Sequence, residues 1–265
     1  MANSCYQYVR KFEDDPVLLP GTYIVVRIDG KGFHKFTTEQ RYGRPNDWNG
    51  LNLMNIAASK VMRDLPDVMI AYGQSDEYSF VLKPSTTLFK RRGYKISSTI
   101  CSIFTAQFVY EFENVFEDNL KSLPSFDARI VCYPTLQHVR DYLAWRQVDC
   151  HINNLFNTTF YALIKHDNMT AQEAQTFLKT TNSGDKNELL FQRGINYNNE
   201  NPQFRKGTIL VWREMEDENG RMRRYPTQEY CDLIKDDFWE EPENSYLVED
   251  FTPCVGLRRQ NQSKK

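Results

Sequence analysis

The feature that most constrains this chain is the order of its first half, where four strand-like runs are interleaved with two runs of helical period. Thr22–Asp29 (TYIVVRID) is β-branched and apolar, and reads as a buried strand closed by a carboxylate. Asn46-Asp47 supplies a helix cap, after which Leu51, Met54, Ala58, Val61 and Leu65 recur at helical spacing. Asp67–Tyr72 is a second strand, Gly73-Gln74-Ser75-Asp76 a turn, and Glu77–Lys83 a third, alternating strand. Ile96, Ile100, Ile103, Phe104, Phe108 and Phe112 mark one face of a long helix, and Ala128–Tyr133 is a fourth strand. The order β-α-β-β-α-β predicts a ferredoxin-like α+β fold. In that topology strand three lies antiparallel between strands one and two. Asp29 is therefore predicted beside Asp76 and Glu77, although Asp29 and Asp76 are 47 positions apart.

After Pro134 the pattern turns helical, with candidates at Val139–Ile164, Thr170–Lys179 and Lys186–Phe191 and a strand at Thr208–Trp212. The closing QNQSKK reads as disordered. With 265 residues, 40% of them hydrophobic, the chain can bury a sizeable core in one domain or two. No apolar run is long enough to span a membrane, and the polar N-terminus does not read as a secretory signal. Six scattered cysteines include no C-x-x-C pair, and Cys150-His151 lacks metal-ligand spacing. They read as reduced thiols of an intracellular protein, cytoplasmic with or without a nuclear pool. Net charge is −2, but residues 1–213 carry +3 and the remainder −5, so local clusters matter more than the total.

Singly, each of the three carboxylates reads as a strand-end turn cap. Together they suit two Mg²⁺ ions, which prefer oxygen donors and take one or two protein carboxylates beside substrate phosphates. Gly30 and Gly32, in Asp29-Gly-Lys-Gly-Phe-His34, would let a triphosphate approach the backbone. His34 reads as a surface residue or a base contact sooner than as a Mg²⁺ ligand.

These residues carry a resemblance. VVRIDGKGFHKF, RPND, YGQSDEYSFVL, YLAWRQVDCHINNLFNT, DKNELLF, INYN and RKGTIL, in this order and spacing, resemble the tRNA-histidine guanylyltransferase family along almost the full chain. The resemblance implies a palm catalytic domain of the polymerase and cyclase type. It implies Mg²⁺ held by Asp29, the Gly30 carbonyl and Asp76, with Glu77 completing the catalytic carboxylates. It implies nucleotide contacts from Asp29, Gly30, Lys31, Gly32, Phe33, His34, Arg44, Asp47, Ser75 and Asp76. The implied reaction is adenylylation of the tRNA 5′-phosphate by ATP, attack by the GTP 3′-hydroxyl with release of AMP, and removal of pyrophosphate, so that growth runs 3′ to 5′. A homotetramer is implied as well. Two positions depart from the family pattern: Cys5 stands where a basic residue is usual, and Arg44 where Lys is common.

Lys90, Arg91, Arg92 and Lys95 open the long helix, where the macrodipole disfavours cations. That misfit suggests an anionic partner, and a solvated helix start is the plainer reading. Arg27, two residues before Asp29, shares its sheet face. The resemblance assigns these positions to a second triphosphate or the tRNA 5′ end, and Arg27, Arg92 and Lys95 are read as holding the triphosphate. His151, Asn154 and Thr158 form a polar stripe beside Asn153 and Asn157. Such side chains can read unstacked RNA bases or bond other helices. The resemblance favours anticodon reading by His151 and Asn154, with Lys186 nearby. The whole reads as a palm over residues 1–135 and a helical tRNA-recognition region with small C-terminal strands and a tail over 136–265. The rivals are a general 3′-5′ tRNA repair polymerase, against which HINN argues, and a catalytically idle RNA-binding palm, against which the retained carboxylates argue.

Overall fold

The computed structural model describes residues 4–249, the side chain of Glu249 excepted; the QNQSKK segment and Cys254 lie outside them. Strand β1 is Tyr23–Gly30, and the short helix α1, Phe33–Glu39, follows it. Helix α2 is Trp48–Asp64, and strands β2 and β3 are Val68–Gln74 and Glu77–Leu82. Helix α3 is Gly93–Phe116, β4 is Phe126–Tyr133, and α4 runs over 32 residues, Leu136–Asp167. Helices α5 (Ala171–Leu178), α6 (Ser183–Phe191) and α7 (Pro202–Lys206) lead to β5 (Thr208–Glu216) and β6 (Met222–Glu229). Two four-residue helices, α8 (Asp237–Glu240) and α9 (Tyr246–Glu249), close the described chain.

The fold is α+β, with one six-stranded sheet in the order β4-β1-β3-β2-β5-β6, every neighbouring pair antiparallel. Alternation along β1 sorts its side chains between two cores. Ile24, Val26 and Ile28 pack under α2 and α3 with Leu53, Ala57, Val61, Ile96, Ile100 and Phe104. Tyr23 and Val25 point to the other face, where Val139, Tyr142 and Leu143 of α4 cover them. Each such buried aliphatic or aromatic side chain contributes about 1.5–3 kcal/mol of transfer free energy, so neither face can be left bare. Arg27 and Asp29 continue the α4 face at the end of β1.

Helix α4 is longer than the sheet. Its first turns bury against the sheet, and its later turns carry α5 and α6 through Leu155, Ala162, Leu163, Ala174, Leu178 and Leu190. Thr170 and Asn182 open α5 and α6 with capping boxes. The middle of α4 therefore passes directly over the end of the sheet where β1 stops.

Several elements depart from the sequence expectation. The strand expected to end at Trp212 continues to Glu216 and pairs with β6, in which Pro226 lies opposite Trp212. MRRYPTQE has no apolar alternation and contains proline, which edge strands tolerate, so pattern alone did not reveal it. Helix α1 was also unanticipated, because seven residues are too few to show a period. Among the described residues no helix is long and apolar enough to cross a membrane. Cys5, Cys101, Cys132, Cys150 and Cys231 are free thiols.

Candidate active site

Backbone geometry builds the carboxylate end of the sheet. Asp29 of β1 lies opposite Glu77 of β3, and the Gly30 N–H donates to the Asp76 carbonyl at 3.1 Å. A Cβ on Gly30 would stand 2.5 Å from the Phe33 ring and 3.0 Å from Asp76 Cβ, so this close approach of strand, turn and α1 requires glycine. Gly32, at φ +64°, takes the left-handed conformation that lets the chain leave β1 and enter α1. Ser75, at φ +50°, reverses the chain between β2 and β3, and its hydroxyl donates to Asp76 Oδ1 at 3.1 Å.

The three carboxylates are not equivalent. Burial pushes the Asp76 carboxyl above the ordinary aspartate range, and Asp29 adds to that; its own backbone N–H and the Ser75 hydroxyl oppose it. Glu77 is also raised by burial, opposed by Arg146 and Arg27. Arg146 Nη1 donates to Glu77 Oε2 at 3.1 Å, and Arg27 Nε approaches the same oxygen at 3.9 Å. Arg146 also faces Asp149 at 3.7 Å, and the Asp149 carboxylate accepts from Gln74 and Asn153. Among the described residues Asp29 and Asp76 have no basic partner within 4.0 Å, whereas Glu77 has two. A pair of uncompensated carboxylates beside a turn carbonyl is an all-oxygen donor set of the kind Mg²⁺ accepts, and Glu77 is already neutralised. Among the described residues no three His, Cys, Asp or Glu side chains group to hold a metal, so a metal here would rest on two carboxylates and other oxygens.

Asp29 and Asp76 line a cavity of about 360 Å³, within the range of small-molecule sites. One wall is the loop Tyr42–Asp47 with Gly50, the second the β2–β3 turn, and the third comes from α4 and α7, with Asp149, Asn153, Asn154, Gln203 and Phe204. Phe33, Arg44, Asp47 and Ser75 line this cavity as well. The Asp47 carboxylate is committed to backbone: it accepts from Gly50 N–H at 2.8 Å and from Gly43 N–H at 2.6 Å. Arg44 donates to the Thr37 and Thr38 hydroxyls at 3.1 and 3.2 Å. Lys31, Gly32 and His34 are exposed at the start of α1 and do not line the cavity.

Two groupings predicted from sequence are not brought together. Arg92 bridges Val17 ahead of β1 and pairs with Asp15, and Lys95 lies over the Phe89 ring at 4.8 Å. Both sit near the start of β1, separated from Asp29 by roughly 20 Å of extended strand. They also lie on the α3 side of the sheet, and Arg27 on the α4 side. One chain alone does not assemble Arg27, Arg92 and Lys95. Arg91, the buried member of that run, donates to five backbone carbonyls from Leu18, Leu19, Thr22, Pro84 and Thr86, so part of the cationic misfit is resolved by the protein itself.

The RNA-reading set is likewise divided. His151 is exposed, its ring pKa lowered by partial burial and then by Arg205. Asn154, by contrast, is 5% exposed with both ends of its amide bonded internally. Lys186 is 9% exposed, and its ammonium donates to the Thr181 carbonyl and hydroxyl at 2.7 and 2.8 Å. An exposed base-reading role expected for Asn154 and Lys186 is corrected to an internal one, because their polar atoms already have partners. Arg146, Asp149, Asn46, Gln203 and Phe204 were missed. The Arg146–Asp149 spacing of i,i+3 was the one visible signal, and nothing in sequence tied it to Glu77.

The family model described as tRNAHis guanylyltransferase matches residues 6–134, and the one described as Thg1 C terminal domain matches residues 137–245. The tRNA(His) guanylyltransferase of Debaryomyces hansenii is 49% identical over 259 residues, spanning 91% of this chain and 98% of the relative. The probable tRNA(His) guanylyltransferase of Dictyostelium discoideum is also 49% identical, over 248 residues, spanning 91% and 97%. The crystal structure of the Saccharomyces cerevisiae tRNA(His) guanylyltransferase aligns with TM-score 0.75 at 45% identity, covering 84% of this chain and 96% of that one. A bacterial tRNA(His) guanylyltransferase-like protein in complex with ATP shares the fold at TM-score 0.74 and 21% identity, covering 94% and 100%. A cleft with paired carboxylates on this sheet, in a chain with these relatives, defines a nucleotidyltransferase. The chain belongs to the tRNA(His) guanylyltransferase family.

Proposed function

We propose that this chain adds a guanosine to the 5′ end of histidine tRNA, with ATP activating the 5′-phosphate and the GTP 3′-hydroxyl attacking it. The juxtaposition of Asp29 and Asp76 in the lining of the cavity carries this reading. The strand order β4-β1-β3-β2 supports reading residues 1–135 as a polymerase-type palm, with 136–265 as the tRNA-facing part.

Asp29, the Gly30 carbonyl and Asp76 would hold Mg²⁺, which would supply charge neutralisation at the transferring phosphoryl group. The other roles belong to the chain itself. The Gly30–Phe33 turn fixes Asp29 against Asp76. The Glu77 carboxylate fixes Arg146 and Arg27 beside them. The Tyr42–Asp47 loop and α7 shape the space that takes the nucleotide. Exposed His151 faces the RNA. The enzyme is read as a homotetramer, and exposed Tyr8, Phe12 and Tyr110 are apolar surface of the kind subunits cover. A cytoplasmic address, with or without a nuclear pool, follows from the same reading and from the free thiols.

The test is transfer of labelled GTP to histidine tRNA and to phenylalanine tRNA. Asp29→Ala and Asp76→Ala should each abolish adenylylation and transfer with the fold intact. Near-wild-type transfer by Asp76→Ala at saturating Mg²⁺ would overturn the carboxylate assignment. Moving the histidine anticodon into phenylalanine tRNA should make it a substrate; indifference to that swap would favour the general repair polymerase.

A further inference from the structure

Asn154 was expected to face RNA, yet it is buried in the wall of the cavity. Its Nδ2 donates to the Tyr197 hydroxyl at 3.0 Å, and its Oδ1 accepts from Asn46 Nδ2 at 2.9 Å, across 108 positions of sequence. The Tyr197 hydroxyl in turn donates to the His151 carbonyl at 3.5 Å, and its ring packs with Leu155, Ala162 and Leu190. This chain of bonds admits one orientation of the carboxamide. With its single proton on the His151 carbonyl, the Tyr197 hydroxyl can only accept from Asn154, so Oδ1 must face Asn46.

Asn46 belongs to the Tyr42–Asp47 loop, which lines the cavity together with the β2–β3 turn. Asp47 grips that loop from inside through the Gly43 and Gly50 amides, and Asn154 holds it from the α4 side. Contacting a base would require Asn154 to give up two internal hydrogen bonds. Holding the loop requires only the bonds already present.

We infer that Asn154, held by Tyr197, is a positioning residue of the nucleotide cavity: it sets Asn46, and through it the Tyr42–Asp47 wall against which the nucleotide lies. This rests on the reading that the cavity takes a nucleoside triphosphate. It gives part of the HINN motif a role in nucleotide affinity that is separate from RNA recognition.

The experiment is ATP binding to the full-length protein with Mg²⁺ and no tRNA, followed by adenylylation kinetics. Asn154→Leu and Asn46→Ala should each weaken ATP binding roughly tenfold, the effect of leaving a buried donor or acceptor unmade. Their double variant should be no weaker than either single one, because the two act through one bond. Adenylylation at saturating ATP and affinity for histidine tRNA should stay at the wild-type level. Tyr197→Phe should give a smaller loss in the same direction. Wild-type ATP affinity in Asn154→Leu, or an affinity loss confined to tRNA, would overturn the inference. Should Asn154→Leu fail to fold, Asn46→Ala decides alone, since Asn46 lies in a half-exposed loop, and wild-type ATP binding there overturns the inference equally. A wild-type protein that does not bind ATP would instead overturn the reading of the cavity itself.

Discussion

Replacing Arg146 with Met isolates what the buried charges beside the site contribute. The side chains of Arg146 and Glu77 are 8% and 13% exposed, and their 3.1 Å contact is the closest that Glu77 makes to a cation. In Arg146→Met, Glu77 keeps, among the described residues, Arg27 alone, at 3.9 Å. Breaking a buried pair from one side costs about 3–5 kcal/mol, and the residual Arg27 puts this case near the lower end. At about 2–4 °C per kcal/mol for a chain of this size, the melting temperature should fall by roughly 6–12 °C near neutral pH. The pH dependence identifies the cause. Burial already raises the Glu77 carboxyl above its ordinary 4.5, and loss of Arg146 raises it further. A folded carboxyl with a raised pKa keeps a proton that the unfolded chain has released, so stability falls as pH rises from the unfolded value through the folded one. The defect of Arg146→Met should therefore be small at about pH 4.5, grow as pH rises through the raised Glu77 value, and be flat above it. Adding Glu77→Gln removes the stranded charge and should restore much of the loss. Thermal melts of the single and double variants across that range provide the assay. An equal loss at every pH, with no recovery in the double variant, would refute the charge-pair argument and leave packing over Trp145 as the cause.

Three further outcomes are expected. Asp76 is raised by burial, so its stability contribution is full below the ordinary 3.8 and lost as pH rises through the folded value; Asp76→Asn should melt no lower than wild type at neutral pH while transferring no GTP, and a lower melting temperature would contradict the stated cause. Lys186→Met removes two hydrogen bonds to Thr181 and should cost about 1–3 kcal/mol in thermal melts, with tRNA affinity measured on the folded protein unchanged; lost affinity at unchanged stability would return Lys186 to the RNA surface. Lys95→Ala should leave both adenylylation and addition to a 5′-triphosphorylated tRNA near wild type, since one strand length separates it from Asp29; a defect confined to addition would return the cluster to a second triphosphate.

The sequence by itself determined the alternation of strands and helices in the first half, the glycine-lined exit from β1, and the three carboxylates that this order brings to one edge. These are local facts: period, turn chemistry and β-branching act between near neighbours, and the antiparallel return of β3 along β1 follows from their order. The core of β5 was legible at Thr208–Trp212, but its extension to Glu216 and the pairing of β6 were not, because an edge strand such as MRRYPTQE takes its pairing from a partner and not from its own pattern. The division of labour among the acids was hidden for a related reason. Asp29, Asp76 and Glu77 look alike in sequence, and only the packing of α4 across the sheet sets Arg146 on Glu77, while among the described residues the two aspartates have no cation within 4.0 Å. Asn154 and Lys186 show the same limit from the other side: a polar side chain on a helix reads as exposed until the tertiary structure supplies Asn46, Tyr197 and Thr181 as partners. Hydrogen bonds and ion pairs between distant segments depend on positions that the chain acquires only once its helices have packed, and those positions decided which of these residues remain free to meet a substrate.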